Sequence, residues 1–141
     1  SSGKPNDLAA IQVTAGAVGS GDAPEWILAK ILHRDMETGM YQLSDEDPES
    51  NKIFHLPEQQ VVILNPHERY QKGDVVFAIY PDTTSFYQAT VVGVPNARSR
   101  GSANSYVVVH FVDDADEFGI TQDKPILSAH VMRPPYGATV Q

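Results

Sequence analysis

The chain of 141 residues contains no cysteine, so a disulfide scaffold, a thiolate zinc site and a cysteine nucleophile are excluded at once. No apolar run approaches the ~20 residues that a membrane-spanning helix needs, and no signal-like apolar segment opens the sequence. With cysteine absent as well, an intracellular compartment is the default expectation. Positive charge is scarce: 10 Lys+Arg stand against 18 Asp+Glu, a formal net charge of −8. That balance argues against a phosphate backbone as the main partner and favours a cationic one. Neither G-x-x-x-x-G-K-[ST] nor G-x-G-x-x-G occurs. His33, His55, His67, His110 and His130 form no H-x-x-x-H or H-E-x-x-H pair, so metal and general-base roles are not expected. The acidic runs lack the spacing of a calcium loop. No catalytic reading survives; neither an enzyme nor a cofactor is expected.

What is present is enough to fold. A hydrophobic content of 41% can fill a core, and the length suits one domain or two small ones. The charge is uneven. Residues 1–66 carry Lys4, Lys30, Arg34 and Lys52 against ten acids, a net of 4 − 10 = −6; residues 67–141 carry six bases and eight acids, 6 − 8 = −2. Four of the first half's acids crowd together as Asp45, Glu46, Asp47 and Glu49.

Short apolar runs broken by turn residues dominate the pattern, and no helical stripe exceeds a turn or two. Ser1-Ser2-Gly3 reads as an expression remnant and is set aside. In the first half the expected strands are Leu8–Ile11 with Val13, Trp26–Leu32, Met40–Leu43, Lys52–Leu56 and Val61–Leu64. In the second they are Val75–Tyr80, Phe86–Val92, Ser105–Val112, Ile126-Leu127 and His130–Met132. Ala15 to Pro24 and Asn96 to Asn104 read as flexible polar loops.

Laid side by side, the halves repeat. Asn6-Asp7-Leu8 answers Gly73-Asp74-Val75, and Trp26-x-x-Ala29-x-Ile31 answers Phe86-x-x-Ala89-x-Val91. Tyr41-x-Leu43 answers Tyr106-x-Val108, and Leu56 with Val61 answers Leu127 with His130. The offsets of about 60 to 70 residues imply two units of four or five strands each. Units of that size are small for independent cores, so they are expected to pack together as five-stranded, SH3-like barrels.

Each unit opens with Asp before an apolar strand, followed by an aromatic-x-x-Ala-x-apolar strand, and such a pair resembles tandem Tudor domains. The segment Tyr80-Pro81-Asp82-Thr83-Thr84-Ser85-Phe86-Tyr87-Gln88-Ala89 is similar to the Y-P-x-T-T-x-F-Y-x-A signature of the SAGA-associated factor family. Glu25 to Ala29 and Tyr41 to Asp47 agree with the same family. The resemblance implies an all-β fold of two tightly packed SH3-like Tudor barrels in tandem. Their expected spans are 4–66 and 67–135, with a C-terminal tail at 136–141.

The resemblance also implies a function: a nuclear reader of the histone H3 N-terminus, di- or trimethylated at its fourth-position lysine, that brings a SAGA-type acetyltransferase complex to chromatin. Carried over residue by residue, Tyr80, Tyr87 and Phe111 are the expected methyl-lysine cage, with Asp113 at its rim. Asp45 and Asp47 are the expected pocket for the tail's free amine. The implied partners are the methylated H3 tail and subunits of the acetyltransferase module, with neither direct nucleic-acid binding nor a membrane.

The chemistry suits those residue types. A trimethylammonium keeps its charge but has no N–H donor, so aromatic faces recognise it, at about 0.5–2 kcal/mol per good contact. A protonated α-amine has donors to place, which carboxylates accept. Asp45 and Asp47, two apart, face the same way if the chain there is extended. First to fourth tail residue is about 10 Å in an extended peptide, a span that two adjoining barrels can match.

Ordinary structural roles compete for the same residues. Aromatics on strands are usually core, and that is the expectation for Trp26, Phe54, Phe77 and Tyr106. Phe86 and Tyr87 are neighbours on a strand and must face opposite ways, Phe86 inward and Tyr87 outward. Asp114, Asp116 and Glu117 read as a solvated loop. The rival function is a methyl-independent protein-interaction module within a chromatin complex. A nucleic-acid binder rests only on Arg98-Ser99-Arg100 and conflicts with the net charge.

Overall fold

In the computed structural model, which describes residues 3–14, 24–95, 101–102 and 104–141, ten strands follow the apolar runs of the sequence. They are β1 (Leu8–Thr14), β2 (Pro24–Arg34), β3 (Tyr41–Asp45), β4 (Ile53–Leu56), β5 (Val61–Ile63), β6 (Val75–Ile79), β7 (Phe86–Gly93), β8 (Tyr106–Phe111), β9 (Lys124–Leu127) and β10 (Val131–Met132). Three-residue 3-10 turns, Glu58–Gln60 and Ser128–His130, lead into β5 and β10. The strands form two curled antiparallel sheets of five, ordered β4-β3-β2-β1-β5 and β10-β6-β7-β8-β9. Read from its other edge, the second order is the first with each strand replaced by its counterpart five places on, so the sequence repeat is also a repeat of topology.

The chain divides into two compact units, Ser1–Leu64 with Thr83–Phe86, and Asn65–Asp82 with Tyr87–Gln141. Each has its own core. Ala9, Ile11, Ala29, Ile31, Tyr41 and Leu43 fill the first. Val76, Ala78, Ala89, Val91, Val107, Val109 and Phe111 carry most of the second. Because side chains alternate along a strand, these sets define one inner face per sheet, and each fully buried Val, Ile, Leu or Phe among them contributes about 1.5–3 kcal/mol.

The repeat extends to individual hydrogen bonds. The Asp7 carboxylate accepts the Lys4 N–H at 2.9 Å, and the Asp74 carboxylate accepts the Gln71 N–H at 2.9 Å. Ile31 N–H donates to the Asp7 carbonyl and Val91 N–H to the Asp74 carbonyl, both at 2.9 Å. Between them Asn6 (φ +74°) and Gly73 (φ +92°) make the same left-handed step, which asparagine and glycine tolerate best. Both second strands carry a bulge, at Ile31/His33 and at Val91/Gly93.

Strand pairing moves three of the sequence matches by one residue. Ala29 pairs with Asp45 and Ile31 with Leu43, while Ala89 pairs with Phe111 and Val91 with Val109. Tyr41 therefore corresponds to Val107 rather than Tyr106. Tyr41 is 2% exposed in the core, whereas Tyr106 is 52% exposed and is not the core residue expected. Likewise Leu56, paired with Tyr41, corresponds to Ile126, paired with Val107. Val61, which follows the first 3-10 turn, corresponds to Val131 rather than His130.

Two further expectations change. Gly3 belongs to the fold: it is buried, its N–H donates to the Tyr41 hydroxyl at 3.1 Å, and a Cβ there would lie 2.4 Å from Ile31 Cδ1. β9 begins at Lys124 rather than Ile126, because an edge strand tolerates Pro125. Most of the first polar loop (15–23) and both Arg98 and Arg100 lie outside the described residues.

Candidate functional site

Three rings meet where the inner face of the second unit runs out. Val76 and Ala78 point into the core from β6, and Tyr80, the next residue of that face, packs against it just past the strand. Ala89 and Val91 point in from β7, and Tyr87 continues their face toward the strand's start. Phe111 ends β8 directly opposite Ala89. The Tyr80 ring centroid lies 4.9 Å from that of Phe111, with the planes tilted by 55°. It lies 6.1 Å from Tyr87, edge-on at 84°. Exposure is graded: Phe111 is 4% exposed and forms a floor, Tyr80 is half-buried, and Tyr87 is 51% exposed. Aromatic rings grouped like this offer the faces that a weakly hydrated cation favours.

Tyr87 and Phe86 do face opposite ways, Tyr87 exposed and Phe86 buried. Yet the core-facing side of β7 is that of Tyr87, and Phe86 lies on the other face, outside the second unit's core cluster. Tyr87 is open to solvent because it sits at the end of the inner face, not because it points away from it.

Asp113 occupies the turn after β8 with φ +61°, a left-handed step, and its side chain is exposed. The carboxylate bonded to the ring cluster is its neighbour Asp114, which is partly buried rather than a solvated loop residue. The Tyr80 hydroxyl donates to Asp114 Oδ1 at 2.9 Å and accepts from Lys124 Nζ at 2.7 Å. Lys124 also pairs directly with Asp114 Oδ2. The ammonium lies 4.4 Å from the Tyr80 ring centroid. The hydrogen bond from Lys124, aided by that from Tyr80, holds the Asp114 carboxyl below the usual carboxylate range. Reciprocally, the bond to Asp114 raises Lys124 above its ordinary value.

The acidic pair of the first unit sits at the equivalent place. Asp45 ends β3 opposite Ala29, as Phe111 ends β8 opposite Ala89. Val13 and Ile27, partly buried against the first core, stand where the second unit has Tyr80 and Tyr87. Asp45 Oδ1 accepts the Asp47 N–H at 2.9 Å, and Asp47 Oδ1 accepts the Glu49 N–H at 3.0 Å. Both side chains are partly buried, and each carboxylate has a second oxygen for a charged donor. Glu46 lies 3.7 Å from Lys30 and is offset by it. Among the described residues no group of three or more His, Asp or Glu is placed to hold a metal ion.

Sequence reasoning missed Asp114 and Lys124. An available signal was the alternation in Lys124-Pro125-Ile126, which sets Lys124 on the same face as the core residue Ile126.

The SGF29 tudor-like domain family matches residues 7–135. The chain belongs to the SGF29 Tudor-like family. It is 30% identical over 115 residues to SAGA-associated factor 29 homolog B of Arabidopsis thaliana, covering 73% of the chain and 41% of that protein. It is 30% identical over 129 residues to SAGA-associated factor 29kDa of Drosophila melanogaster, covering 85% of the chain and 43% of that protein. With the SAGA complex subunit SGF29 of Saccharomyces cerevisiae the identity is 30% over 82 residues, 53% of the chain and 31% of that protein. The chain thus spans less than half the length of these SGF29 relatives. Its two curled five-stranded sheets are the two Tudor-like units of the family, and the ring cluster belongs to the second.

Proposed function

We propose that this chain is a non-catalytic methyl-lysine reader of chromatin. It takes the free N-terminus of histone H3 in the first unit and the di- or trimethylated lysine at the tail's fourth position in the second. The observation that carries this reading is the convergence of Tyr80, Tyr87 and Phe111, with centroids 4.9 and 6.1 Å from Tyr80, at one end of a buried core. Asp45 and Asp47 supply the carboxylates that a protonated amine needs. Occupying both sites with one peptide gives a selectivity for a methyl-lysine three residues from a free amine that neither weak site has alone. SAGA-associated relatives support a nuclear role in which the reader brings an acetyltransferase complex to marked chromatin.

A calorimetric titration with three H3 tail peptides tests it: unmodified, trimethylated at the fourth residue, and trimethylated with an acetylated N-terminus. Tight binding to the second alone is the expected result. Equal or absent binding to all three overturns the reading and puts a methyl-independent interaction module in its place.

A further inference from the structure

Lys124 stands on the inner face of its sheet. It pairs with Val109 on β8, just as Phe54 pairs with Leu43 on β3, so the first unit has a phenylalanine where the second has a lysine. A cation at a core-facing position costs several kcal/mol unless it is paired and hydrogen-bonded, and here it is both. Its ammonium is bound by Asp114 and by the Tyr80 hydroxyl, with the side chains of Lys124 and Asp114 only 20% and 19% exposed. An apolar residue would have closed the core without this arrangement, as Phe54 does in the sister unit.

The pair touches the cage itself. Asp114 lies within hydrogen-bond distance of the Tyr80 hydroxyl, and the Lys124 ammonium lies 4.4 Å from the same ring's centroid. A carboxylate beside a cage ring attracts an ammonium that still has N–H donors, whereas a trimethylammonium has none to give it. A lone ammonium beside the ring would repel any cationic guest. Bound to each other, the two groups present neither charge.

We propose that Lys124 is a specificity-determining residue of the cage. By engaging Asp114 it withholds that carboxylate from the guest, so the pocket grades ligands by methyl count and not by N–H donors. Asp114 in turn neutralises Lys124, keeping a like charge away from the Tyr80 ring. The inference rests on the methyl-lysine reading above and assigns the chemistry that sets its preference.

The test is to titrate the chain with H3 tail peptides mono-, di- and trimethylated at the fourth residue, for wild type, Lys124→Met, Asp114→Asn and the double variant. Lys124→Met should lower the trimethyl-over-monomethyl preference by about tenfold, the worth of one charge-assisted hydrogen bond, through a gain in monomethyl affinity. Asp114→Asn should weaken all three peptides together, and the double variant should recover the wild-type preference. Melting temperatures run in parallel. A fall in melting temperature with the preference of Lys124→Met unchanged assigns the pair a purely structural role and overturns the proposal while the reader function stands. If the wild type discriminates no methylation state, the reader function itself falls and the proposal with it. Should methionine at position 124 prevent folding, Asp114→Asn decides alone, and unchanged affinity for the methylated peptides overturns the proposal.

Discussion

Asp45 and Phe111 are the same position in two copies of one fold: each ends its third strand opposite an inward alanine, Ala29 in one unit and Ala89 in the other. At that place one unit carries a carboxylate and the other a phenyl ring, which lies 4.9 Å from that of Tyr80. Under the proposed reading, duplicated frames with divergent ends would bring two binding chemistries into one chain without a second fold. The surrounding hydrogen bonds, from the Asp7 and Asp74 turns to the bulges of β2 and β7, recur in both copies because they hold the frame.

Tyr87 and Phe111 should respond differently to truncation. Tyr87 is 51% exposed, so Tyr87→Ala should abolish discrimination between trimethylated and unmodified H3 tails while changing stability by only about 0.5 kcal/mol. Phe111, 4% exposed within the core cluster, is a different matter, and Phe111→Ala should cost about 3–5 kcal/mol of folding stability. Chemical denaturation beside calorimetry separates the two effects. Retained discrimination in a folded Tyr87→Ala variant removes Tyr87 from the cage.

At Asp45 and Asp47 the test calls for amides rather than alanines. Asp45 and Asp47 each accept a backbone N–H two residues on, so alanine there would also loosen the turn. Asparagine keeps an acceptor and removes the charge. Asp45→Asn with Asp47→Asn should weaken methylated and unmodified tails alike, by about tenfold, since both present the same amine. Acetylating the peptide's N-terminus should cost the wild type as much and the double variant nothing further. A loss confined to the methylated tail would exchange the roles of the two sites.

Much of this was legible in the sequence, and the failures have physical causes. Strands dense in Val, Ile and aromatics declared themselves, and the repeat followed from Asp7/Asp74 and Ala29/Ala89, positions fixed by turn and packing. The match of Tyr41 to Tyr106 slipped by one because residue type was read in place of face. In a strand a one-residue slip exchanges the two faces, and it set the exposed Tyr106 against the buried Tyr41. Lys124 escaped because a lysine before a proline reads as loop. Only the pairing of Lys124 with Val109 sets it on an inner face, and only the resulting need for a counter-charge gives Asp114 a purpose.

Tyr70 should make the fold sensitive to alkali. Its hydroxyl donates to the Val131 carbonyl at 3.1 Å within the second core, and burial, reinforced by the nearby Glu68 charge, pushes its pKa up to about 12 from an ordinary 10.0. A raised value in the folded state means that stability is fully present below pH 10.0 and falls as the pH climbs toward 12. Spectrophotometric titration should therefore show Tyr70 ionising late. Tyr70→Phe should remove that late step and flatten the alkaline fall in melting temperature. At neutral pH it should cost about 1 kcal/mol, because the Val131 carbonyl loses its partner. An unchanged late step would assign it to another tyrosine.

Ser105 and Ser128 form a buried hydroxyl pair whose two members should not be equivalent. Their oxygens are 2.7 Å apart, and Ser105 also donates to the Ser102 carbonyl at 2.9 Å. With its proton committed there, the Ser105 oxygen is the acceptor and Ser128 the donor. Ser128→Ala removes one donor and leaves Ser105 still bonded to Ser102, so it should cost about 1 kcal/mol or less. Ser105→Ala deletes the acceptor and strands the Ser128 hydroxyl at 2% exposure, which should cost about 1–3 kcal/mol. The double alanine variant, with no hydroxyl left unpaired at Ser128, should be no less stable than Ser105→Ala alone. Denaturant midpoints for the three variants decide it, and equal losses for the two single variants would show that the proton is not directed as the Ser102 contact requires.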